Sequence, residues 1–275
     1  GVMIGPALGS LAAFGGPAVP GLVATALCLL NLLFVKRWLP ESSSAEARAE
    51  AKQERRESLG SRMLTVFQHP GRPVARLIWI YAIGMMAFMG MNAVLALFLQ
   101  ERFGITEKSF GLFYVFVGAI SLVMRSVLLG PAVRRFGEKG VMRIGLLSLA
   151  AGYALQSLAP TVLTFGAAIM LIPIGTALLF PAASSLVSRF AMRHELGATM
   201  GVQQAYGGVA RLVGPIWAGY AFQRFGPGAP FWISSGLAVA TLVFANGLTA
   251  DTPERGASPK VPDAAEPEAA ADSGA

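Results

Sequence analysis

Residues 210–219 read ARLVGPIWAG and residues 1–10 read GVMIGPALGS. Aligned, the two stretches place Gly5-Pro6 on Gly214-Pro215, Gly9 on Ala218 and Ser10 on Gly219. The likeness continues beyond each stretch, where FGGPA at 14–18 parallels FGPGA at 225–229. A single Gly-Pro match arises easily by chance, whereas one followed by a similar loop, here displaced by two residues, reads as a repeat. A helix, a short loop and the next helix therefore recur. Both copies share one orientation, which is the pattern of parallel repeats about an axis along a membrane normal.

Composition supplies the membrane. Of 275 residues 54% are hydrophobic and 13% charged, and the mean hydropathy is +0.58, far from the balance of a water-soluble domain. The apolar residues fall in blocks near the roughly 20 residues that a bilayer-spanning helix requires. These blocks lie at 20–38, 75–99, 110–133, 141–158, 161–187, 197–222 and 230–247. An eighth, 1–14, is shorter and carries neither an initiating Met nor the basic flank of a signal peptide, so it is expected to be the end of a helix that starts upstream.

Lys and Arg give these spans an orientation. The segment after Trp38 holds Arg48, Lys52, Arg55, Arg56, Arg62 and Arg72, and Lys36 and Arg37 precede it. Alternation from there reaches Arg134, Arg135 and Lys139, then Arg189 and Arg193. The opposite connections are uncharged at 14–19 and 159–160, hold Arg224 alone, or balance Arg102 and Lys108 with Glu101 and Glu107. By the positive-inside rule the first set faces the cytoplasm, and the tail after Gly247 lies on the same side. Within the 41–72 connection, residues 45–57 are rich in helix formers. The tail, acidic and proline-rich, has the composition of a disordered segment.

Several function classes drop out. The net charge of +7 is spread over many connections with no aromatic-interleaved patch, which gives no support for a nucleic-acid partner. One cysteine, Cys28, and two histidines, His69 and His194, supply neither a disulfide framework nor a metal site. Walker, nucleophile-elbow and HExxH motifs are lacking, so no cofactor, metal or catalytic residue is expected and the chain does not read as an enzyme.

The residues that remain concern helix packing and charge. Gly1, Gly5 and Gly9 repeat at four-residue spacing, which lets two helix backbones approach in lipid, while Pro6 and Pro215 remove a backbone donor and bend their helices. Two meanings stay open: tight packing, or a bend that shapes one state of an alternating-access cycle. Pro173, Gly175 and Pro181 mark a second pliable helix. Ionisable residues inside spans point to function by default, and the candidates are Arg125 and Arg211. Arg125 lies close enough to a helix end to snorkel. Arg211, deeper, can bind an anionic substrate, pair with a carboxylate, or cap carbonyls freed by Pro215; pairing is the favoured expectation. All 15 Asp and Glu lie outside the spans, so a proton-carrying carboxylate is expected elsewhere. Asn31, Asn92, Gln156, Gln203, Gln204 and Tyr206 are the polar, uncharged candidates for lining a cavity. Met85, Met86, Met89 and Met91 around Asn92 suit either plain packing or an adaptable apolar surface.

The Gly1, Gly5, Pro6, Gly9 pattern resembles the antiporter motif of the fifth helix in the major facilitator superfamily. Residues 130–139, GPAVRRFGEK, resemble the loop motif between its eighth and ninth helices, carried by Gly130, Arg134, Arg135 and Gly137, with Arg134 standing where the family has Asp. The run from Phe180-Pro181 through Gln203-Gln204 to Gly214-Pro215 is similar to helices ten and eleven of the tetracycline and multidrug exporter branch. The resemblance implies an all-α polytopic fold covering helices five, in part, to twelve. Residues 1–38 would end the first bundle, 39–74 form a cytoplasmic linker, 75–247 make the second six-helix bundle and 248–275 the tail. It further implies a secondary transporter in the bilayer of a bacterial inner membrane, moving a small amphipathic molecule outward in exchange for protons, with the proton carrier in four helices preceding residue 1. A metabolite symporter of the same fold is the alternative; a membrane enzyme or scaffold finds less support.

Overall fold

The computed structural model of the chain describes residues 12, 15–16, 18–38, 59–105, 123, 127–192 and 195–247. Gly1, Gly5, Pro6 and Gly9, Arg125, most of the 110–133 span, residues 39–58 and the tail from 248 lie outside the described residues. Every regular element among the described residues is a helix. In chain order they are α1 (Val19–Trp38), α2 (Leu59–Gln68), α3 (Pro73–Phe103), α4 (Leu129–Leu158), α5 (Val162–Ile169), α6 (Leu171–Phe190), α7 (Leu196–Phe225) and α8 (Ala229–Asn246).

Local chemistry explains the ends. Pro73 opens α3, where its missing N–H is one of the unpaired donors of a first turn in any case. At 31 residues, α3 is about 46 Å long and exceeds the roughly 30 Å hydrocarbon core. Thr161 and Thr164 form a reciprocal capping box that starts α5. The span expected at 161–187 comprises α5 and α6, separated by a turn at Met170 whose backbone angles stay helical. Pro173 sits harmlessly in the first turn of α6, whereas Pro181 is interior.

The largest departure from expectation is at 134–140, which hydropathy leaves as a connection. The chain is helical on both sides of Gly137, which alone leaves helical geometry with φ 67° and ψ 169°. This backbone region is essentially reserved for glycine, so the turn shrinks to one residue and Glu138 falls inside α4 instead of in a loop.

One hydrophobic cluster joins α3 through α8, with Leu77, Ile78, Met142, Leu146, Leu149 and Tyr153 among its largest buried side chains. Within it α3 packs against α7, α8 and α6, and α4 against α6, α8 and α5. The buried face of α8 recurs at helical spacing, through Phe231, Ser234, Ser235, Ala238, Thr241 and Ala245. Its small residues let α8 sit between α3 and α4, with Ser234 Oγ donating to the Ala87 carbonyl at 3.4 Å and Ser235 Oγ to that of Ala150 at 2.8 Å. None of the residues of α1 is buried.

Five helical segments are long and apolar enough to cross a bilayer: α1, α3, α4, α5 with α6, and α8. Their outer surfaces are apolar as well, with Leu30, Leu163 and Val243 exposed by more than half. Such a surface has no stable place in water, and helices are the form in which a chain satisfies its backbone within lipid. The protein is an integral membrane protein. The 30-residue α7 is long enough to join the five but more polar, and it carries most of the candidate residues.

Candidate functional site

At one end of the bundle, where α2 lies, polar contacts run across five elements. Glu138, the first residue after the Gly137 corner, accepts a hydrogen bond from Ser185 Oγ on α6 at 2.7 Å. The same oxygen lies 3.0 Å from Arg189 Nη2 on the last turn of α6, and the Glu138 side chain is only 12% exposed. Its second oxygen is buried without a partner. Next to Ser185, Ser184 Oγ accepts from Gln203 Nε2 of α7 at 2.9 Å. Glu195, capping α7, pairs with Arg62 of α2 at 3.6 Å. Tyr206 Oη donates to the Met63 carbonyl at 2.9 Å, and Trp79, edge-on to Tyr206 at 5.3 Å, donates from Nε1 to the Val66 carbonyl at 3.4 Å. The α2 helix is thereby held against α3 and α7.

These contacts place an acid where the resemblance has none. Arg134 and Arg135 are exposed, the latter over the Phe136 ring at 5.8 Å, and it is Glu138, four residues after Arg134, that pairs across to α6. Hydropathy offers no hint of this; the available signal is a lone acid among the bases Arg134, Arg135 and Lys139, directly after the glycine. Arg76 was equally inconspicuous. Its guanidinium stacks over Phe244 at 4.9 Å and reaches the carboxy-terminal end of α8 so closely that a Cβ at Gly247 would stand 2.6 Å from Nη1. A cation there complements the helix dipole.

The repeated Gly214-Pro215 has a definite setting. A Cβ at Gly214 would lie 2.9 Å from the Met86 carbonyl oxygen and 3.0 Å from Gly90 N, and one at Gly90 would lie 2.6 Å from the Trp217 ring. Glycine is thus required because two backbones touch, as small-residue packing in lipid predicts. The pair α4–α6 meets in the same way, with a Cβ at Gly145 only 2.7 Å from Leu179 N and 2.9 Å from the Gly175 oxygen. At Gly219 and Gly130, by contrast, a Cβ would meet nothing within 4 Å.

The polar candidates separate into groups. Gln203 and Gln156 are fully buried; Gln156 donates to Gly152 of its own helix at 3.0 Å, and each amide oxygen is unpartnered. Half-buried Asn92 donates to the Phe88 carbonyl at 2.8 Å, and Asn31 is exposed on α1. Gln204 and Arg211 come together on one exposed face of α7, with Gly201, Gly208 and Pro215. Each lies three or four residues from the next, and a Cβ at Gly201 or Gly208 would meet nothing within 4 Å. The face is polar and smooth, unlike the lipid-facing surfaces of α1 and α8. Pro215 withdraws the donor that would bond the carbonyl of Arg211, so the charge and the freed acceptor share one turn.

Comparison with known proteins agrees with this architecture. The family model described as Major Facilitator Superfamily matches residues 1–130 and 126–271. The chain is 26% identical over 223 residues to multidrug resistance protein 2 of Bacillus subtilis, covering 81% of this chain and 55% of that protein. It is 24% identical over 229 residues to the class D tetracycline resistance protein of Salmonella ordonez, covering 82% and 55%. In fold it is similar to the crystal structure of a human organic anion transporter, with a TM-score of 0.58 at 23% identity, over 62% of this chain and 40% of that one. The chain thus spans about half the length of the curated relatives it matches. With a family match that takes in nearly its whole length, the chain belongs to the Major Facilitator Superfamily.

Proposed function

We propose that this chain forms part of a secondary active transporter that moves a small amphipathic molecule or drug outward by alternating access, coupled to protons. The observation that carries the reading is its likeness, over about four-fifths of its length, to proteins named for multidrug and tetracycline resistance. The structure supports it in two ways. The polar face of α7 around Gln204 and Arg211 suits a cavity wall, and the Glu138–Arg189–Ser185 contacts suit a lock that can be made and broken. On this proposal α2 and the lock lie on the cytoplasmic side of a bacterial inner membrane, and the carboxyl terminus is cytoplasmic. No described acid lies on the α7 face, so the proton carrier is assigned to the part of the relatives' length that this chain does not span. There it would stand opposite Arg211, with Asn92 and Gln203 near the substrate path.

Everted vesicles expressing the complete gene test this directly. Energised vesicles should accumulate a fluorescent tetracycline or cationic dye, and an uncoupler should abolish accumulation. Uptake of a metabolite into whole cells, with no drug movement in vesicles, would establish the symporter alternative and defeat the efflux proposal.

A further inference from the structure

At the end of the bundle away from α2, a groove of about 660 Å³ is lined by Arg102, Phe225, the loop 226–229, Trp232 and Ile233. We propose that this groove holds one glycerophospholipid, with its phosphate at Arg102 and its acyl chains along the exposed face of α8. The inference is independent of what the protein transports.

Charge is the first argument. Arg102 is the single charged residue lining the groove, it is exposed on the last turn of α3, and it makes no ion pair or hydrogen bond among the described residues. The complementary ligand group is an anion. Depth is the second. Because α3 is longer than the hydrocarbon core is thick, Arg102 on its last turn is within reach of the level where lipid phosphates lie. Trp232, half-exposed at the rim, is the residue type that favours this interface.

The third argument separates a lipid from a free anion. Below Trp232 the exposed face of α8 continues through Gly236 and Val239 to Val243, with Val239 48% and Val243 67% exposed. A Cβ at Gly236 would meet nothing within 4 Å, so the stripe has a shallow notch. From Trp232 to Val243 the helix descends about 16 Å, close to half the roughly 30 Å hydrocarbon core, the reach of an acyl chain within one leaflet. Head and tail requirements thus meet on one continuous surface.

The test counts phospholipid retained by the purified protein in mild detergent, using native mass spectrometry. One phospholipid per chain is expected to survive delipidating washes. Arg102→Glu and Arg102→Gln should each lower its retention at least tenfold, while Arg102→Lys keeps it. Arg224→Glu changes a charge on the last turn of α7 that does not line the groove, and it should have no effect. Trp232→Ala should lower retention severalfold. Equal loss in Arg224→Glu, or displacement of the lipid by millimolar inorganic phosphate, would overturn the proposal in favour of general charge attraction or a free-anion site. A photoreactive residue at Ile233 should crosslink to lipid; a crosslink to protein would show that another helix or a second copy fills the groove, and overturns it too.

Discussion

The two ends of the bundle are closed by different chemistry. At the α2 end the contacts are ionic and hydrogen-bonded: Glu138 with Arg189 and Ser185, Gln203 with Ser184, Glu195 with Arg62. At the opposite end the closure is aromatic. Phe98 lies 4.4 Å from Phe231 and 5.5 Å from Phe165, and Phe103 packs 5.8 Å from Phe165. Separating Phe98, Phe165 and Phe231 forfeits packing that nothing replaces. Water, by contrast, can take over each bond at the α2 end as it opens. Within this bundle the aromatic end is held by packing that separation would forfeit, and the polar end by contacts that water can replace.

The largest test bears on the aromatic end. Phe98→Ala should cost about 3–5 kcal/mol and give the steepest fall in melting temperature in detergent; a loss no greater than at the polar end would break the comparison. Next comes the glycine contact between the ends. Gly214→Leu should cost about 2–3 kcal/mol, because its neighbours are backbone atoms that cannot give way. Gly219→Leu on the same helix, with open space around it, should melt like the parent.

Smaller effects are expected where the chain is releasable. Glu138→Ala should cost about 1–2 kcal/mol, a modest figure because Arg189, 61% exposed, is already shared with solvent. Its sharper readout is access. With Cys28 replaced by serine, a cysteine at buried Ala183 should react faster with a water-soluble maleimide when Glu138 is alanine. An unchanged rate would mean that the pair is not a lock. Arg62→Ala comes last, at under about 1 kcal/mol, since the partners stand 3.6 Å apart and are partly exposed; circular-dichroism melting should barely register it.

Much of the fold was legible because lipid leaves few choices. A long apolar block in this setting must be a helix, and 230–247 and 20–38 differ from α8 and α1 by a residue or two. The difference from expectation lies in the length of a connection between two helices. GPAVRRFGEK looks like a connection by hydropathy, yet only Gly137 leaves helical geometry. Tyr206 shows the limit for site residues: its type and position mark it as polar in a span, but its contact with Met63 lies 143 residues away in sequence. Gln203 and Gln204 are adjacent and alike, and the structure buries one against Ser184 and exposes the other.

By itself the sequence determined the solvent, the helical class and the approximate bounds of the spans that the described residues cover. Each of these follows from local hydrophobicity and spacing, which a single segment carries alone. The tertiary structure alone decided which glycines touch a neighbouring backbone, that Glu138 supplies the acid paired with Arg189, and that α2 is docked through Tyr206 and Trp79. These depend on which faces of separate helices meet, and helices that are apolar nearly all round do not announce their partners.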